Sequence, residues 1–329
     1  MTKQIKLSAL NLAPVRKGKT VSEALQHTIR SAKAVESFGY HRFWVAEHHN
    51  MEGVASSATA VLIGQIAQET THIRVGSGGI MLPNHAPLII AEQFGTLAAL
   101  HPNRIDLGLG RAPGTDQLTA QALRRNGQRA EDFPSLVEEL RHYFNPVSSR
   151  HMYGRYPVKE KRFPFGSLAQ VATVPKCWIR LTICVCWSFL TKTNCTSINL
   201  YYDTFKPSAV LSEPYSMIAV NAIAAETEQE AQMLASSLYQ QFLSMIRNQR
   251  GKLQPAVENM DVIWTPHEEQ LVMEQLSGSF IGDANKVAKQ LYDFAMNLQV
   301  NEIMLQTTIF DEDKQIDSYK RIMDAWQAL

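Results

Sequence analysis

The chain has 329 residues, 45% of them apolar and 19% charged, and its 32 basic and 31 acidic side chains leave a formal net charge of +1. That length and apolar share suit a large packed core, close in size to an eight-unit α/β barrel, and the charge balance excludes a nucleic-acid binder that works through bulk positive charge. No apolar run reaches the roughly 18 residues of a membrane span; the longest candidate, 177–190, is broken by Arg180 and Thr182, and with no secretory pattern at the start the expected location is the cytoplasm.

In chain order, residues 5–12 alternate like a strand, and 21–38 carry apolar residues at helical spacing and stop at Gly39. Residues 41–46 read as a strand, 56–68 as a helix, and 73–82 as a strand rich in Val, Ile and Gly. A helix follows over 87–100 with Pro87 in its first turn, then a strand over 105–109 and a helix over 132–144. Residues 198–205 resemble the end of a helix stopped before Pro207, and 215–225 a strand. A long amphipathic helix over 227–247 opens with Thr227 and Glu230 as a capping box. Residues 248–278 read as an irregular excursion, followed by a helix over 283–296, a strand over 302–309 and a last helix over 313–328. Strands alternating with helices mean a largely parallel α/β fold. Six strands are visible, and the gap between the fourth and the next is long enough for two more, so a TIM-like (β/α)8 barrel is the first expectation. An open doubly wound sheet is the second.

In such a barrel chemistry sits at the C-terminal ends of the strands. Glu47-His48-His49-Asn50 follows the second strand, three titratable groups in a row, against the plain alternative of surface histidines in a loop. Gly76-Ser77-Gly78-Gly79 lies in the third strand, where glycines mark either close approach of a ligand or packing that needs small residues. Arg111 follows Gly108-Leu109-Gly110 at the end of the fourth strand and suits a phosphate. The GxGxxxG spacing there, interrupted by Pro113, is a poor dinucleotide fingerprint. Asp106 with Arg104 reads as a local structural pair. The histidines form no metal triad by spacing, and no metal is expected.

The strings FWVAEHHNMEGVASSATAVLIG, VGSGGIMLPNHAPLIIAEQFGTL, HPNRIDLGLGRAPGTD and FKPSAVLSEPY together resemble the bacterial luciferase-like flavin-dependent oxidoreductases, over roughly residues 1–146 and 198–329 and nearer the single-gene homo-oligomeric branch. The resemblance implies a TIM-like barrel that binds FMN, usually as diffusible reduced FMN (FMNH2) supplied by a flavin reductase. It also implies dioxygen activation, oxygenation of a small organic substrate, and a homodimer. Carried over by position, Glu47 and His48 match the family's acidic and catalytic pair. Gly78 and Gly79 match the backbone passing the isoalloxazine, often through a non-proline cis peptide, and Arg111 matches the residue that holds the FMN phosphate. The alternatives are a hydride-transfer oxidoreductase using a deazaflavin (coenzyme F420) on the same barrel, and a flavin-binding or defective barrel without turnover.

One window departs from the family. All four cysteines lie within 177–195, and 161–202 holds no acidic residue, although three in every thirty-odd residues is the chain's norm (31 acids in 329). The cysteine spacings fit no zinc pattern, and a disulfide does not suit the cytoplasm. Sliding the allowed codons of 151–179 back by one base admits VRAIPGEGKAIPIWLLGSS and then YSAKVLD, and sliding those of 181–189 forward admits LPYAFAGHF. Both strings resemble the family's fifth and sixth strand regions, in order. Residues of about 148–197 therefore read as a frame-shifted stretch, with the fifth and sixth strand regions disrupted or divergent. The family's Gly-Ser-Ser phosphate turn is replaced by Ala169-Gln170-Val171.

Overall fold

A computed structural model describes residues 5–111, 116–123, 132–144, 165–170, 183–187, 194–207 and 211–329. The strands are β1 (Lys6–Asn11), β2 (Arg42–Val45), β3 (Arg74–Met81), β4 (Ile105–Gly110), β5 (Phe165–Gln170), β6 (Ile183–Trp187), β7 (Ser216–Ala225), β8 (Phe280–Asp283) and β9 (Glu302–Gln306). The helices are α1 (Val21–Ser37), α2 (Thr59–Glu69), α3 (Pro87–Leu100), α4 (Gln117–Ala122), α5 (Phe133–Phe144), α6 (Asn194–Thr204), α7 (Glu228–Ile246), α8 (Pro266–Gln275), α9 (Ala284–Asn297) and α10 (Glu312–Gln327).

β1 to β7 pair in sequence order, all parallel, and β9 joins β7 to β1, so eight strands close a ring. The barrel expectation holds and the open sheet is excluded. The divergent window still supplies two barrel strands: β5 pairs β4 from Leu107↔Phe165, and β6 pairs β7 from Cys184↔Ser216. β8, absent from the sequence reading, adds outside the ring to the C-terminal half of β7, Ala222↔Phe280 to Ala225↔Asp283. It is four residues long, too short to show a period. The excursion before it contains α8, where Thr265 and Glu268 form a reciprocal capping box with Pro266 behind the cap. At α7 the expected box is only half made. Thr227 accepts from the Glu230 N–H, but the Glu230 carboxylate takes the Glu226 N–H at 3.3 Å and pairs with Lys314.

Side chains alternate between two cores. Leu7 and Ala9 of β1, Phe43 and Val45 of β2 and Leu107 of β4 face outward onto the helices. Leu10, Trp44, Met217, Ala219 and Met304 fill the barrel axis. The glycines of β3 and β4 make room for that indole: a Cβ on Gly76 would lie 2.7 Å from Trp44 Nε1, one on Gly78 3.1 Å and one on Gly108 3.2 Å from its ring. Below Trp44, at the N-terminal ends of the strands, the barrel is plugged by charge. Arg42 donates to Asp106 at 2.5 Å and to both oxygens of Glu302 at 3.0 and 3.1 Å. Arg74 also holds Asp106, and Ser8 and Tyr215 donate to Glu302. Burial pushes the Asp106 carboxyl up, but Arg42 and Arg74 outweigh it and hold it below the ordinary range.

This corrects the Arg104–Asp106 pairing. Asp106 is the second residue of β4 and turns into the barrel. Arg104 precedes the strand and points the other way, giving its N–H groups to the carbonyls of Ala67 and Thr70 at the end of α2 and of Ile73 just before β3. The first two are terminal carbonyls of α2 without intrahelical partners, which a cation suits.

Candidate functional site

The C-terminal rim of the barrel collects the residues singled out in the sequence. β2 ends at Val45, and the chain runs through Glu47, His48 and His49 to Asn50, whose φ of 54° turns it in the left-handed region that asparagine tolerates. Two contacts pin this turn. The His48 N–H donates to Ser56 O at 3.1 Å, and Asn50 Nδ2 donates to Asp116 Oδ2, at the N-cap of α4, at 3.0 Å. The next strand supplies a partner: after β3 a single 3-10 turn, Leu82–Asn84, sets down His85.

Glu47 is buried, and its Oε1 takes hydrogen bonds from two imidazoles, His49 Nε2 at 2.7 Å and His85 Nε2 at 2.8 Å. Burial pushes the Glu47 carboxyl up; the two imidazole hydrogen bonds outweigh it, and the group stays below the ordinary carboxylate range. Glu47 is a fixed negative charge at neutral pH. His48, between them in sequence, turns elsewhere. Its Nδ1 is sealed from solvent and has no hydrogen-bond partner among the described residues. Burial lowers its protonation, and the attraction of Glu47 does not recover it. His48 is thus a neutral imidazole with one enclosed nitrogen unspent.

The glycine pair lies one strand along. The Gly78–Gly79 peptide is cis, as the resemblance implied, and the β3–β4 register shifts between Ser77 and Ile80 at that point. A Cβ on Gly79 would meet Gly108 O at 2.9 Å. Packing alone thus accounts for small residues at Gly76, Gly78 and Gly79. Arg111 follows the last residue of β4 directly and is half-buried on the same rim. β5 ends at Gln170, so the position of the missing phosphate turn falls at the rim as well; Val171 lies outside the described residues.

A segment from the excursion after α7 roofs one side. Leu253 N–H donates to Val15 O and Lys17 N–H to Leu253 O, both at 2.9 Å, while Val15 N–H donates to Gly53 O at 2.9 Å. Exposed Arg250 leads into this segment, and its charge reaches His48. Sequence reasoning missed His85 as Glu47's partner because 38 residues separate them; only the adjacency of parallel strands joins them. It also missed Asn11 and Gln306, which end β1 and β9 side by side with Asn11 Nδ2 and Gln306 Oε1 buried and unpartnered among the described residues. Polar residues at the last position of a buried strand were the available signal.

Comparison with known proteins gives a consistent picture. The sequence model of the family described as "Luciferase-like monooxygenase" matches residues 5–165. A "Luciferase-like monooxygenase" of Escherichia coli (strain K12) is 41% identical, covering 99% of this chain and 98% of that protein. Among solved structures, apo-MsnO8 superposes with a TM-score of 0.86 at 29% identity, covering 99% of both chains. The oxygenating constituent of 3,6-diketocamphane monooxygenase from Pseudomonas putida, solved in complex with FMN, shares the fold at a TM-score of 0.75 and 13% identity, over 98% of each chain.

Proposed function

The chain belongs to the luciferase-like monooxygenases, and from that premise we propose that it oxygenates a small organic substrate with dioxygen and reduced FMN. The observation that carries the reading is the enclosed, unpartnered Nδ1 of His48 on the catalytic rim. An unspent polar atom in a buried site is costly unless a ligand completes it.

The residues present fit a flavin. Arg111 offers a guanidinium at a strand end for the phosphate, and Gly78 and Gly79, whose size packing already explains, put bare backbone on the neighbouring strand. When bound, reduced FMN would supply the electrons that activate dioxygen. His48, kept neutral by burial, would accept or donate a proton at its free nitrogen beside the reacting atoms. Glu47 is a positioning residue: ionised and locked by His49 and His85, it fixes the turn that presents His48. The missing Gly-Ser-Ser turn removes phosphate donors, so this chain holds FMN less tightly than a family member that has it.

We assign the active form to a cytoplasmic homodimer served by a separate flavin reductase. No helix among the described residues is long and apolar enough to cross a membrane. Val61 of α2 and Ile89 and Leu100 of α3 are exposed apolar side chains on the helical layer. The test is anaerobic titration of the full chain with reduced FMN and, separately, with a reduced deazaflavin, then admission of oxygen with candidate substrates. FMN binding followed by substrate-dependent oxygen uptake supports the reading. Binding of the deazaflavin alone, or no oxygen uptake with any reduced flavin, overturns it.

A further inference from the structure

We propose that Glu47, His49 and His85 form a three-ligand site for a divalent transition-metal ion of the zinc class. One ligand atom from each lies within 4.8 Å of the other two, and both Nε2 atoms reach the same Glu47 oxygen. The two imidazoles do not stack. Their centroids are 6.1 Å apart with planes at 51°, and both nitrogens converge on the same carboxylate oxygen. Two nitrogens and one carboxylate are a donor set that suits zinc, and three protein ligands leave a coordination position open.

The dimensions are close to what a cation needs. Ligand bonds of about 2.0–2.2 Å in a tetrahedral arrangement put donor atoms about 3.3 Å apart. The present nitrogen–oxygen separations of 2.7 and 2.8 Å need to open by only about half an ångström. Access decides whether an ion can arrive. The Glu47 side chain is 1% exposed, whereas those of His49 and His85 are 15% and 24% exposed, so the anchor is fixed and the two imidazoles open to the rim. The site takes either two imidazole hydrogen bonds or one cation, with each imidazole moving its proton to Nδ1 as Nε2 turns to the metal. The inference rests on these contacts, and its readout needs no flavin.

The test is a cobalt(II) titration of the full chain after chelator treatment and dialysis, read by visible absorption and followed by zinc competition. The expected result is one saturable equivalent, displaced by zinc, with affinity falling about tenfold or more in His85→Ala and in His49→Ala. Circular dichroism checks that both variants keep the fold; His85, half-open at the rim, is the safer of the two. The cysteines at 177–195 are the competing ligands in this chain, and they announce themselves by a thiolate-to-cobalt charge-transfer band. No saturable binding, binding unchanged in both folded variants, or an equivalent that carries the thiolate band overturns the proposal. Failure of the flavin reading leaves this titration unaffected.

Discussion

Trp44 donates its indole N–H to Asp106 Oδ2 across 3.1 Å, joining the apolar middle of the barrel to the charged plug beneath it. The same ring occupies the space that Gly76, Gly78 and Gly108 leave. Trp44→Phe keeps much of the volume but strips one donor from a buried carboxylate. It is expected to cost about 1–3 kcal/mol, read as a lower urea midpoint at unchanged slope. Gly108→Ala is expected to be far worse, because its Cβ runs into the Ser77 carbonyl, which is backbone and cannot swing away. An alanine variant as stable as the parent contradicts this packing.

The plug predicts a second outcome. Arg42 is shared by Asp106 and Glu302, all three buried. Glu302→Gln leaves Arg42 and Arg74 sharing the one carboxylate of Asp106 and is expected to lose about 3–5 kcal/mol, whereas removing an exposed pair such as Lys289–Asp293 costs about 0–1 kcal/mol. Equal losses on denaturation show that the plug is solvated.

Acid stability follows from His27. This imidazole is buried between α1 and α10 on Gln315 Oε1 at 2.7 Å, and burial, followed by the charge of Arg16, pushes it down to about 4. The unfolded chain takes the proton first, near pH 6.5, so the stabilisation is whole above that pH and is lost as pH falls toward 4. The full change is about 3 kcal/mol. His41, also lowered to about 4 by burial, adds a loss of the same sign. His27→Gln is therefore expected to flatten, not abolish, the fall in urea midpoint between pH 6.5 and 4.5.

At the rim, His48→Ala is expected to leave FMN affinity within a few-fold and to lower turnover by about a hundredfold to ten-thousandfold. Turnover equal to the parent's removes the catalytic role.

Arg111→Ala is expected to weaken FMN more than riboflavin, which has no phosphate, by about 1.5–3 kcal/mol for a charge-assisted hydrogen bond. An equal effect on both ligands places the phosphate elsewhere.

Much of this was legible in the sequence, for identifiable reasons. The six strands were visible because a buried parallel strand is an apolar run, and the helices between them carry a 3.6-residue period. Glu47, His48 and Arg111 stood out because the last residues of strands are the rim in any barrel. What stayed hidden was pairing across strands. Asp106 turns to Arg42 and Arg74 instead of its neighbour Arg104, and Glu47 turns to His85, because pleat and register decide which side chains meet. The glycines of β3 carried two readings in the sequence, and only the position of Trp44 gives packing a specific cause.

The ring closes where the first strand meets the last, Lys6↔Glu302 to Leu10↔Gln306. Glu302 therefore has two duties: it opens the closing strand, and it carries the carboxylate that Ser8, Arg42 and Tyr215 share. A ribosome that has not yet released β9 holds a chain with two bare strand edges and a half-neutralised arginine inside. The barrel can therefore be completed only after residues 302–306 have left the ribosome. A product ending before residue 302 is a target for proteolysis and aggregation, not a smaller version of the protein.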